Sequence, residues 1–199
     1  MPWQKPIAVM PGNARQNQER RSRMNILIVV DMQKDFIDGS LGTKEAVTIV
    51  PDVVEKIRKF DGKVIATRDT HAENYLESAE GKHLPVVHCV KDTPGWQING
   101  EVEEALRSKS EFMVIDKPTF GSVELGEYVK QLNDTAEPVE KITLVGLCTD
   151  ICVISNALLL KAYLPEVPIE VDISCCAGVT PQSHEQAAEA MKMCQIEIV

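Results

Sequence analysis

The sequence predicts a three-layer α/β/α fold around a central, mainly parallel sheet of about six strands. Two observations carry that expectation. From Asn25 onward, short β-branched runs alternate with helix-length amphipathic segments, the pattern of a parallel sheet covered on both faces. In addition, Asp31, Asp69, Lys117 and Cys152 all fall at or just past the ends of the expected strands, where open α/β sheets place their ligand crevice.

The first expected strand is Ile26 to Val30, a continuous apolar run suited to a central position buried on both faces. A helix follows at about Val50 to Phe60, with Pro51 near its start, where a missing N–H costs little. The second strand is Lys63 to Thr67. Residues 69 to 100 show little periodicity, and an irregular stretch of that length inside a compact domain is usually functional. Next come a helix at Val102 to Ser108, a strand at Phe112 to Ile115 and a helix at Val123 to Asn133. The strand Ile142 to Val145 then runs into a helix at Asp150 to Ala162. The chain closes with a strand at Ile169 to Asp172, a helix opened by Pro181 and reaching Met193, and a last strand near Gln195 to Ile198.

The chain has 199 residues, enough for one domain with a sizeable core. Residues 1–23, with Pro2, Pro6 and Pro11 early and then the polar, basic stretch Asn13 to Arg23, have no patterned core and read as a disordered extension; 24–199 forms the folded domain. With 30 acidic against 21 basic residues the net charge is -9, which argues against nucleic acid or an anionic membrane surface as partner. No apolar run is long enough to span a bilayer. The six cysteines are scattered and do not resemble a disulfide framework, so free thiols in a reducing cytoplasm are expected.

Gly146-Leu147-Cys148-Thr149-Asp150-Ile151-Cys152-Val153 places cysteines at a strand-to-helix turn. Unpaired N–H groups and the positive end of the helix dipole favour a thiolate there, and the same N–H groups can hold an oxyanion. Taken singly, such a cysteine is as readily a small buried hydrophobe, Asp31 a loop-capping carboxylate and Lys117 a solvated charge. Together they form one device, in which the carboxylate accepts the thiol proton and the ammonium supports the charge. Asp69, His71 and His88 form a second constellation. Two histidines and a carboxylate suit zinc, iron or manganese, although each histidine alone also reads as a loop or packed residue. His83 reads as solvated and stays outside that set.

The chain resembles the isochorismatase-like cysteine hydrolases, and within them the nicotinamidase branch. The motifs are Val-Val-Asp-Met-Gln-Lys-Asp-Phe at 29–36, Asp-Thr-His at 69–71, His-Cys-Val at 88–90, Asp-Lys-Pro at 116–118 and Gly-Leu-Cys-Thr-Asp-Ile-Cys-Val at 146–153. The resemblance spans about Met24 to Val199. It implies Cys152 as nucleophile, Asp31 as general base and Lys117 as third member. It also implies a cis peptide between Leu147 and Cys148, and an oxyanion hole from the N–H groups of Cys148 and Cys152. A divalent metal on Asp69, His71 and His88 would orient the substrate. The implied reaction is metal-dependent hydrolysis of nicotinamide to nicotinate and ammonia through a thioester, by a homodimer or larger homo-oligomer. Phe36 matches one aromatic wall of the pyridine slot. Pro85 stands where the branch usually has the other, with Trp96 as a candidate replacement. That departure keeps open a related hydrolase of another small amide, a carbamoyl compound or an isochorismate-like vinyl ether; a non-catalytic binding protein on the same fold is the third reading. Cys148, Cys175 and Cys176 are candidate sites of silencing oxidation, or simply small buried residues.

Overall fold

The computed structural model describes residues 23–199, so the expected extension lies outside the described residues except for Arg23. Six strands, β1 (Met24–Val30), β2 (Lys63–Asp69), β3 (Phe112–Lys117), β4 (Val139–Leu147), β5 (Ile169–Ala177) and β6 (Glu197–Ile198), form one sheet in the order β3-β2-β1-β4-β5-β6. Every pairing is parallel. Side chains of β1 alternate between two cores. Leu27 and Val29 pack with Val53, Ile57 and Leu106, carried by α3 (Val50–Lys59) and α5 (Gly100–Arg107). Ile26, Ile28 and Val30 pack with Leu125, Leu160 and Met191, from α6 (Val123–Asn133), α7 (Ile154–Tyr163) and α8 (Pro181–Met193). This is the α/β/α layering expected of strands apolar on both faces.

Strand order reverses between β1 and β4, which makes their carboxyl ends the crevice of the sheet. There Gly146 pairs with Val30 at φ 114°, and a Cβ on it would lie 2.1 Å from the Val30 carbonyl oxygen. Only glycine allows the two strands to approach this closely.

Local chemistry explains where the structure departs from the sequence pattern. Two short helices, α1 (Lys34–Ile37) and α2 (Lys44–Thr48), occupy a segment to which the sequence pattern assigns no element; the Thr43 side chain caps α2 through the Ala46 N–H at 3.0 Å. The 69–100 stretch contains a 3₁₀ turn at Tyr75–Glu77 and α4 (Ala79–His83), capped by Ser78. The helix expected from Asp150 instead begins as a π-helical turn, Thr149–Val153, because the Cys148 carbonyl accepts from the N–H groups of both Ile151 and Val153. Gln195 adopts φ 65°, so the last strand is limited to Glu197–Ile198. All six cysteines are free thiols. Among the described residues no helix is long and apolar enough to cross a membrane.

Candidate active site

Each strand of the left half of the sheet delivers one group to the crevice. Asp31 follows β1 in the left-handed region, at φ 46°, a conformation Asp tolerates better than most residues. Lys117 ends β3, Asp69 ends β2, and Cys152 lies in the π-helical turn after β4. The Lys117 ammonium, fully buried, stands 2.7 Å from Oδ2 of Asp31, 3.3 Å from Oδ1 of Asp69 and 3.4 Å from Sγ of Cys152. A buried ammonium persists only with such partners.

The electrostatics sort these groups. Burial would lower the Lys117 pKa, but Asp31, Cys152 and Asp69 outweigh it and hold the ammonium charged. Burial raises the Asp31 carboxyl, opposed by Lys117. The Cys152 thiol is pushed well up, first by burial and then by Asp31, with Lys117 acting the other way. Desolvation thus opposes the thiolate that the turn's position at a helix start favours. Oδ1 of Asp31 accepts from the Thr67 hydroxyl at 2.7 Å, and the buried Oδ2 faces the Lys117 ammonium at 2.7 Å. That oxygen retains a lone pair for a proton.

Asp69 also joins His71, Glu80 and His88, whose ligand atoms all lie within 4.8 Å of one another. Nε2 of His71 is 2.8 Å from Oδ2 of Asp69 and 3.6 Å from Oε1 of Glu80; Nε2 of His88 is 3.6 and 3.7 Å from the same two oxygens. Nδ1 of His88 lies 2.7 Å from the Val86 carbonyl oxygen, which turns Nε2 toward the cluster. Two main-chain bonds between the His71 and Cys89–Lys91 segments bring the histidines together. Burial would raise the Asp69 carboxyl, but hydrogen bonds to His71 and His88, with Lys117, hold it well below the usual carboxylate range. Nε2 of His71 is buried against Oδ2 of Asp69. Two imidazole nitrogens and two carboxylates gathered in one small cluster fit a divalent cation. His83, exposed on α4, has its Nδ1 2.8 Å from the Ala79 carbonyl oxygen and stays outside the cluster.

Both constellations open on one cavity of about 260 Å³, where Cys148, Cys152, Asp69, Glu80 and His88 meet walls of Phe36, Leu41, Leu84, Phe120, Ile151 and Val179. The Phe36 ring centroid lies 5.5 Å from that of His88. Two sequence candidates are not part of the cavity lining. Pro85 is exposed, and the neighbouring Leu84 supplies the wall instead, its carbonyl held by the Tyr75 hydroxyl at 2.9 Å. Trp96 lines a separate cleft, its indole N–H bound to Thr70 Oγ1 at 2.8 Å and its ring 3.7 Å from the Arg68 guanidinium. Gln33 draws it there, bonding the Trp96 carbonyl at 2.8 Å and both main-chain groups of Asp69. The Leu147–Cys148 peptide is cis. Burial pushes the Cys148 thiol up to about 12 and the Cys175 thiol to about 11, and raises that of Cys176 further, which leaves little thiolate for oxidation.

Residues 25–199 match the family model described as an isochorismatase domain. The chain belongs to the isochorismatase family. It is a hydrolase of that family, similar to the nicotinamidase/pyrazinamidase of Mycobacterium tuberculosis (25% identity, covering 88% of this chain and 98% of the relative). It is also similar to the nicotinamidase of Saccharomyces cerevisiae (21% identity, 88% and 99%). A solved structure of Pyrococcus horikoshii pyrazinamidase in complex with zinc superposes with a TM-score of 0.74 at 29% identity, covering 88% of this chain and 98% of that one. Within this isochorismatase-family site, sequence reasoning missed Glu80, Thr67, Gln33, Leu84 and Phe120. Glu80 had the clearest signal, an acidic residue between His71 and His88 in an aperiodic stretch.

Proposed function

We propose that the protein is a nicotinamidase-like amidohydrolase that cleaves the carboxamide of nicotinamide or a close aromatic amide, releasing ammonia and the carboxylic acid. The observation that carries this reading is the Lys117 ammonium, 2.7 Å from Asp31 and 3.4 Å from the sulfur of Cys152, which lines an apolar, ring-sized cavity. A buried acid–base–thiol set has little purpose in mere binding.

In this mechanism Oδ2 of Asp31, beside the Lys117 ammonium, takes the Cys152 proton as sulfur attacks the carbonyl carbon, and Lys117 offsets the moving negative charge. The N–H groups of Cys148 and Cys152 receive the oxyanion, each such donor being worth about 3 kcal/mol. Asp31, now the acid, protonates the amine, the C–N bond breaks and ammonia leaves a Cys152 thioester. Asp31 then accepts a proton from water attacking the thioester; the acid departs and the thiol regains its proton. Asp69, His71, Glu80 and His88 would hold a divalent cation, which supplies an electrophilic anchor for a ring nitrogen. Phe36, Leu84 and Phe120 orient the ring and keep water away.

The deciding experiment is ammonia release from nicotinamide and pyrazinamide by purified protein supplied with zinc, iron or manganese. Turnover by wild type and none by Cys152→Ala supports the reading. Absence of turnover with every metal rejects it, and other small amides, carbamoyl compounds and vinyl ethers then become the substrates to assay.

A further inference from the structure

We propose that Asn156 is a positioning residue, which fastens the nucleophile's turn to the loop that carries Lys117 and Phe120. This inference rests on the assignment of Cys152 and Lys117 under the proposed function. Asn156 lies in the first turn of α7, fully buried, one helical turn beyond Cys152. Its Oδ1 accepts the Ser122 N–H at 2.9 Å, while Nδ2 donates to the Phe120 carbonyl at 3.1 Å and to the Cys152 carbonyl at 2.8 Å. One carboxamide thus bonds three main-chain groups on two separate segments and satisfies both of its own N–H donors.

Those segments carry the chemistry. The loop leaves β3 directly after Lys117, lines the cavity with Phe120 and ends at Ser122, whose hydroxyl accepts the Leu125 N–H at 3.1 Å to cap α6. Between them Gly121 lies close against α7; a Cβ there would be 3.2 Å from the Ser155 carbonyl oxygen. On the other side, the π-helical turn leaves Cys152 in a widened geometry that regular helix bonding does not fix. The Asn156 amide supplies the missing link. It sets the height of the Cys152 backbone relative to the loop and, through both, the 3.4 Å spacing of sulfur and ammonium. A buried carboxamide with three partners is costly to lose, since each orphaned group then forfeits its hydrogen bond without water to replace it.

The test compares wild type with Asn156→Leu, which keeps the volume and loses every bond, and Asn156→Asp, which keeps the acceptor for Ser122 but loses both donors. Asn156→Ser serves if the leucine variant does not fold. Three quantities are read: kcat and KM for ammonia release, the rate of Cys152 alkylation by iodoacetamide at one fixed pH, and Tm. Positioning predicts that kcat per folded molecule falls about 10- to 100-fold, the cost of displacing reacting groups by roughly 1 Å, that KM rises as Phe120 shifts, and that Cys152 alkylation slows severalfold. A lowered Tm with kcat, KM and alkylation rate of the folded fraction unchanged would overturn it, leaving Asn156 a packing residue. Alkylation requires no substrate, so a wild-type protein that hydrolyses no amide would reject the proposed reaction while the alkylation rates still decide the role of Asn156.

Discussion

The Thr67 hydroxyl donates to Oδ1 of Asp31 at 2.7 Å, and Oγ1 of Thr67 accepts the Asp31 N–H at 3.3 Å, so one side chain of β2 holds the proposed base at both ends. Burial raises the Asp31 carboxyl, Lys117 opposes that rise most, and the Thr67 hydrogen bond adds a smaller pull in the same downward direction. Thr67→Val keeps the shape and removes it. The Asp31 pKa then rises, and because the carboxylate is the form that accepts the thiol proton, the acid limb of kcat/KM moves to higher pH. At the optimum the rate falls roughly tenfold, for a bond to a charged group worth about 1.5–3 kcal/mol. A pH–rate profile superimposable on that of wild type would remove Thr67 from the mechanism.

Lys117 and Cys152 separate stability from activity. Lys117→Met leaves the Asp31 and Asp69 carboxylates buried without their cation, and breaking a buried pair costs about 3–5 kcal/mol. Cys152→Ala removes a small side chain and no charge. Urea unfolding should show a large loss for the lysine variant and a small one for the alanine variant, with turnover abolished in the second. Equal stabilities would mean that Lys117 is not the charge holding the crevice together.

Metal affinity distinguishes cluster members from bystanders. Glu80→Gln keeps the shape and removes one negative charge facing both imidazoles, and should weaken zinc binding at least about tenfold, the effect seen even for groups that only orient ligands. His71→Ala should lose stoichiometric metal, and His83→Ala should retain it. The measurement is bound metal after dialysis against a graded chelator; equal retention by all three variants would place the metal elsewhere.

Much of this arrangement was legible in the chain, and the unread parts share a cause. Alternation of Leu27 and Val29 with Ile26, Ile28 and Val30 dictates two covered faces, and Asp31, Asp69 and Lys117 stand at strand ends because the apolar runs stop there. Residues that act through tertiary approach leave weaker marks. Glu80 meets His71 and His88 only because the 3₁₀ turn and α4 fold the 75–83 segment back over them. Trp96 lies close in sequence to His88, yet Gln33 and Thr70 hold it in a separate cleft. The cavity wall falls to Leu84 instead of Pro85, since spacing along an irregular segment does not say which neighbour turns inward.

Far from the crevice, Lys56 of α3 and Asp172 of β5 meet at 2.7 Å and tie the helix to the sheet. Burial would raise the Asp172 carboxyl, but the hydrogen bond and charge of Lys56, with Ser174, hold it below its ordinary value of 3.8. A carboxyl whose folded pKa is depressed contributes stability that is present above the unfolded value and lost as pH falls through the folded one. Asp172→Asn should therefore cost about 0.5–1 kcal/mol at neutral pH, a figure reduced by the partial solvent exposure of the pair. As pH falls below the ordinary carboxyl value of 3.8 and through the lowered folded one, the two unfolding curves should converge, because wild type loses by protonation what the variant never had. Urea titrations of both proteins across that range provide the check; a constant offset at every pH would show that the asparagine disturbs packing and that the ion pair contributes nothing measurable.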